Sequence, residues 1–184
     1  MLHSARSASQ SSTDASSASS GMMVTARSSA TPALEFTVVR TPEDLAEALA
    51  VRRAVFVEEQ GVPLAEEVDE YDVAPSKAHG VLQMLGRLDG RVVCTGRIDL
   101  TSSDDPDRSA HITRVAVRRE CRARGIGSQL MGVLHTEARA HGVLTTELNA
   151  QLQSLGFYER LGYCAHGPVF LDAGIEHQAM KFTL

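Results

Sequence analysis

The rhythm of apolar and polar positions changes several times along this chain, and each change places an element. Residues 34–39 are rich in large apolar and β-branched side chains, which predicts a strand. Thr41-Pro42 then opens a helix, because threonine caps free N–H groups and proline suits a first turn. Leu45, Ala48, Leu49, Val55 and Phe56 give this helix one apolar face, and Gly61-Val62-Pro63 stops it. Residues 79–87 and 91–100 read as strands joined by Asp89-Gly90, a strong hairpin signal. A polar loop is expected over 101–109 and a strand over 111–117. Residues 125–140 repeat apolar side chains at Ile126, Leu130, Val133 and Leu134, the spacing of a helix face. A strand over 143–148, a short helix over 153–161, and strands over 163–165 and 178–184 complete the series. Runs of strands with helices interspersed predict an α/β or α+β fold with a mixed sheet, not a doubly wound one.

Two segments break the pattern. Residues 1–33 are mostly Ser, Ala and Thr, too poor in apolar surface to offset their ordering entropy, so a disordered tail is expected there. One domain is expected over 34–184. The tail has no apolar stretch suited to secretion, and its two arginines are few for an organellar transit peptide. A plain tail, or an over-long start with Met22 or Met23 as initiator, fits it better. The second segment is acidic, Glu66-Glu67-Val68-Asp69-Glu70-Tyr71-Asp72. It reads either as a solvated loop or as an electrostatic funnel for a cationic amine. In the second reading Glu58, Glu59, Asp69 and Asp72 take part.

Composition narrows the classes. The chain has 184 residues and is 43% hydrophobic, enough for one domain with a sizeable core. A formal net charge of -5 argues against nucleic acid or an anionic membrane surface as the main partner. No apolar run approaches the ~20 residues of a membrane span. Cys94, Cys121 and Cys164 form no CxxC pair and leave an odd thiol, which points to a reduced, cytoplasmic setting. His79, His111 and His166 have no spacing that suggests a metal site.

The chemistry concentrates around Arg122-Ala123-Arg124-Gly125-Ile126-Gly127, between the 111–117 strand and the 125–140 helix. The first N–H groups of a helix lack intrahelical partners and sit at the positive end of its dipole. Glycines let a phosphate approach the backbone. Arg118, Arg119, Arg122 and Arg124 surround the turn in an acidic protein, and guanidinium forks suit phosphate oxygens. An anion site is expected here. The pattern is neither a Walker A loop nor a dinucleotide fingerprint, since it lacks the Lys-Ser/Thr of one and the third glycine of the other.

The same residues resemble the pyrophosphate motif of the GNAT superfamily of acyl-CoA transferases, Arg/Gln-x-x-Gly-x-Gly/Ala. The resemblance runs over about residues 34–184. It includes Phe56-Val57-Glu58-Glu59-Gln60-Gly61-Val62-Pro63, Arg114-Val115-Ala116-Val117, Leu148-Asn149-Ala150-Gln151, Gly156-Phe157-Tyr158 and Gly174-Ile175-Glu176-His177. The motifs look like the bacterial ElaA-like branch, and the C-terminal half resembles glyphosate-acetylating members. Cys121 and Arg119 depart from the usual aromatic and proline.

This resemblance implies a GNAT-like sheet of about six to seven mostly antiparallel strands, with helices on both faces. It implies acetyl-CoA as co-substrate and a small-molecule or peptide amine as acceptor, and family members are often homodimers. Main-chain groups of Val115, Ala116 and Val117 would bind the pantetheine arm. Those of Arg122, Ala123, Arg124, Gly125, Ile126, Gly127 and Ser128 would bind the pyrophosphate. Asn149 matches a CoA-contacting position, though a turn-forming role is equally open. Tyr158 matches the acid that protonates the leaving thiolate. His177 matches a base before the last strand, with a capping histidine as the other reading and Glu176, Glu59 or a bound water as other bases. Arg114 could meet a substrate carboxylate. Gln151 and Val57 stand where glyphosate-type members carry arginines, which weakens a dianionic substrate. A catalytically silent CoA sensor and a nucleotide-binding domain sharing only the glycine turn are the competing classes.

Overall fold

The computed structural model describes residues 33–72, 80–101 and 108–184. The tail expected to be disordered lies outside these residues, except for Ala33. So do His79 and most of the loop expected over 101–109.

The described residues build one seven-stranded mixed sheet in the order β1-β2-β3-β4-β5-β7-β6. The strands are β1 (Leu34–Val38), β2 (Val81–Leu88), β3 (Arg91–Asp99), β4 (Ser109–Val117), β5 (Thr145–Gln151), β6 (Cys164–Asp172) and β7 (Ile175–Thr183). Every neighbouring pair is antiparallel except β4–β5. The helices are α1 (Pro42–Arg52), α2 (Leu64–Glu67), α3 (Ile126–Ala140) and α4 (Leu155–Glu159).

Local chemistry explains most of these elements. Thr41 and Asp44 form a reciprocal capping box at the start of α1, a device typically worth about 1 kcal/mol. Beyond Arg52 the same helix widens into a π-helix, Arg53–Glu59, which ends at Gly61 with φ +76°. The Asp89-Gly90 hairpin forms as its residues predict, both with positive φ. Successive strand residues face opposite sides, so the sheet carries two cores. Leu85, Val92 and Ala116 pack with Ala48, Val51 and Val55 of the first helix. Met84, Val93 and Ile112 pack with Leu130, Met131 and Leu134 of α3. The Tyr163 hydroxyl shares hydrogen bonds of 2.8 Å with His135 of α3 and Thr146 of β5, pinning that helix to the sheet. Burial lowers His135 to about 4, so this ring stays neutral.

The last strands differ from expectation. The strand expected at 163–165 continues as β6 to Asp172, and β7 starts at Ile175 rather than at 178. Gly167-Pro168 sits in a register shift of this edge strand, where proline costs no ladder bond.

The feature that makes a site is a divergence. β4 and β5 pair only over Ser109–His111 and Thr145–Glu147, and beyond these residues no further pairs join the two strands. A cleft of about 1000 Å³ extends from this gap.

Candidate active site

One wall of the cleft is main chain. The β5-facing polar groups of β4 beyond His111 have no strand partner. Opposite Gly96, the ladder skips from Thr113 to Ala116, so Arg114 and Val115 form a bulge, with Arg114 at φ +55°. The chain then passes a 3-10 turn, Arg119–Cys121, and enters α3 through Ala123 and Gly125, both with positive φ. No side chain caps α3, so its leading N–H groups are free for an anion. The two glycines have different tasks. A Cβ on Gly125 would meet only Gln129 Nε2, at 4.0 Å, so the approach is open. A Cβ on Gly127 would press on the Phe157 ring at 3.2 Å, so this glycine lets α4 pack against α3.

The arginines around the turn are less free than their spacing suggests. Arg118 Nε donates to the Val92 carbonyl at 3.1 Å. Arg122 Nε donates to the Val117 carbonyl at 2.9 Å, and its Nη1 pairs with Glu59 at 2.9 Å. Arg119 also faces Glu59, at 3.6 Å. Glu59, expected on the acceptor side, therefore joins the first helix to the anion loop.

Tyr158 and His177 are both titratable groups of the cleft lining. Tyr158 packs edge-on against Phe157 and Tyr163, and its hydroxyl has no protein partner among the described residues. Desolvation pushes it up to about 12, so the phenol is protonated at neutral pH. His177 is buried on β7 and stacks on Phe170. Its Nδ1 lies 2.8 Å from the Ile175 carbonyl oxygen, which can only accept. Nδ1 thus carries the proton of the neutral ring, and Nε2 keeps the lone pair. Asn149, exposed on β5, lines the same cleft and is a strand residue, not a turn.

The opposite end rests on an ion network. Arg52, 1% exposed, binds the Glu67 and Asp72 carboxylates. Arg97 reaches Asp69 at 2.6 Å and Asp72 at 2.8 Å. Arg114 reaches Asp69 at 3.2 Å and faces Glu67 at 3.5 Å. Burial alone would raise the Asp72 pKa, but hydrogen bonds and charge from Arg52, a backbone N–H of Asp69 and the Arg97 charge hold it at about 2. For Glu67, Asp69 and Asp72 the solvated-loop reading is therefore corrected. The free-funnel reading is corrected too, since three guanidinium groups already answer these three acids.

The comparisons with known proteins agree with this arrangement. The acetyltransferase (GNAT) domain model matches residues 82–184. The chain belongs to the GNAT family. It is 34% identical over 146 residues to the uncharacterized N-acetyltransferase YjcF of Bacillus subtilis, covering 78% of this chain and 96% of that protein. Escherichia coli ElaA superposes with a TM-score of 0.69 at 27% identity, over 81% of this chain and 99% of ElaA. An acyl-CoA N-acyltransferase from Pseudomonas aeruginosa gives 0.68 at 27% identity, over 81% and 99%. The ElaA-like resemblance of the motifs thus holds at the level of the whole fold.

Within this GNAT domain the structure brings Arg114, the β4–α3 loop, Asn149, Tyr158 and His177 to one cleft. Asp69 stands behind Arg114, and Glu59 stands beside Arg122. Sequence reasoning missed Arg52 and Arg97 altogether. A signal for Arg52 was present: it continues the Leu45–Ala48 face of α1, and a cation on a buried face requires an anion. Phe56 and Gln60, named in the sequence only on a helix face and within a motif, are presented to the cleft by the π-helix and its end.

Proposed function

We propose that this chain is an N-acetyltransferase that moves an acetyl group from acetyl-CoA to an amine by direct attack in a ternary complex. The reading is carried by one observation. A free helix N-terminus, an unpaired strand edge, a protonated phenol and an imidazole with an open Nε2 all meet in the same cleft.

The residues fit a CoA. Main-chain N–H groups of Arg122, Ala123, Arg124, Gly125, Ile126, Gly127 and Ser128 would hold the diphosphate, with Gly125 leaving the space. Val115, Ala116 and Val117 offer main-chain groups to an amide-bearing arm, and Asn149 faces it from β5. When bound, acetyl-CoA supplies a thioester whose carbonyl carbon takes up the amine and whose sulfur leaves.

The chain's own residues manage charge and protons. A β4 N–H polarises the acyl oxygen. His177 Nε2 takes a proton from the amine, directly or through a water. The Tyr158 hydroxyl gives its proton to the departing sulfur. One N–C bond forms and one C–S bond breaks. Of the residues expected to meet the acceptor, Arg114 keeps that role. Asp69 acts through Arg114, and Glu59 acts on the cofactor side. A silent CoA-binding module would have no use for the open phenol and imidazole.

Thiol release with an amine panel tests this reading. Tyr158→Phe should lower kcat by about a hundredfold or more while CoA affinity holds. Unchanged turnover would remove Tyr158 from the acid role.

A further inference from the structure

Gln151 and His177 stand opposite each other in the β5–β7 ladder. Gln151 Nε2 donates to Gln60 Oε1 at 2.8 Å, and Gln151 Oε1 accepts from Gln153 Nε2 at 2.9 Å. The chain of amides thus has one direction. It ends at Gln60 Nε2, a cleft-lining group with no protein partner among the described residues. Arg114 lines the same cleft, and its Nη1 is likewise without a partner among the described residues. These two groups offer N–H donors to the cleft that His177 also lines.

Their charge matters as much as their hydrogen atoms. The network beneath Arg114 sets Arg52, Arg97 and Arg114 against Glu67, Asp69 and Asp72, so the guanidinium positive charge is balanced. Glu66 and Asp172, both exposed, add negative charge to the cleft lining, and Arg160 and the Glu59-paired Arg122 offset it. A carboxylate at this place would lose hydration for little Coulomb return. A second ammonium would bring donors to donors. A neutral carbonyl oxygen accepts from both groups at no such cost.

We infer that the acceptor is an amine carrying a neutral carbonyl a few bonds away, as in an amino-acid amide or a peptide N-terminus. Gln60 Nε2 and Arg114 receive the carbonyl oxygen while His177 receives the proton of the amine. Gln60 is then a specificity-determining residue, held in orientation by Gln151. This inference rests on the reading under Proposed function.

The test uses the full chain, acetyl-CoA and four acceptors: alaninamide, a short alanine peptide amide, alanine and a diamine. The amides should show kcat/KM about tenfold or more above alanine and the diamine. The peptide arm separates a small amide site from one that takes a peptide N-terminus. Gln60→Leu should raise KM for the amides about tenfold with kcat and CoA affinity retained. Gln60→Glu, which replaces the donor by an acceptor, should do the same with a side chain of equal size. Preference for alanine or the diamine, or unchanged amide KM in both variants, overturns the inference. If none of the four is acetylated while CoA still binds, the inference fails and the cofactor reading survives. Loss of CoA binding in the unmodified chain would sink the proposed function itself.

Discussion

The two ends of the cleft are built from different materials. The end proposed for the cofactor is main chain: a strand edge without a partner, a bulge at Arg114 and the open N-terminus of α3. The end proposed for the acceptor is side chain: six charged groups drawn from α1, α2, β3, β4 and the segment after α2, with a relay of glutamines above them. Main-chain geometry depends on glycine and turn residues close in sequence, and it tolerates change in most side chains. A buried ion network depends on every member, because removing one strands its partner in a poorly solvated place.

Substitutions can break this contrast. Arg52→Ala should have the largest effect, a loss of about 3 kcal/mol of stability, since Glu67 and Asp72 would stay buried with the fully buried cation gone and only Arg97 and Arg114 left to answer them. Urea denaturation monitored by circular dichroism measures it, and a loss below about 1 kcal/mol would mean that the network relaxes easily.

Acid should act through the same residues. Asp72 titrates at about 2 in the folded chain, below its ordinary 3.8. A depressed carboxylate contributes stability that is present above the unfolded value and disappears as pH falls through the folded one. A contribution on the order of 2 kcal/mol should therefore be lost between about pH 4 and pH 2. Melting temperatures across that window check it, and Asp72→Asn should flatten the slope.

The smallest expected effect sharpens the contrast at the other end. Glu59 holds Arg122, and both side chains are partly exposed. Glu59→Gln should free the guanidinium and tighten CoA binding about threefold, the scale of an exposed ion pair. Weaker CoA binding would instead make Glu59 a brace that the loop needs.

Legibility in the sequence followed the same division. Thr41 and Pro42 announced α1, Asp89-Gly90 announced the hairpin, and Gly125 announced the anion turn, because each acts on its immediate neighbours. The fold class was equally legible from the alternation of strand and helix patterns. The fate of Glu67, Asp69 and Asp72 was not, since their partners lie between 15 and 47 residues away along the chain. Nor was the division of labour between Gly125 and Gly127, which depends on where Phe157 docks. The π-helix at Arg53–Glu59 left no local mark that separates it from an ordinary helix.

The main-chain wall is proposed to hold CoA. Isothermal titration of the full chain with CoA, and separately with ATP, tests it most directly. Saturable one-to-one binding of CoA is expected, weakened by Gly125→Val, with ATP far weaker. Tight binding of ATP without binding of CoA would contradict it.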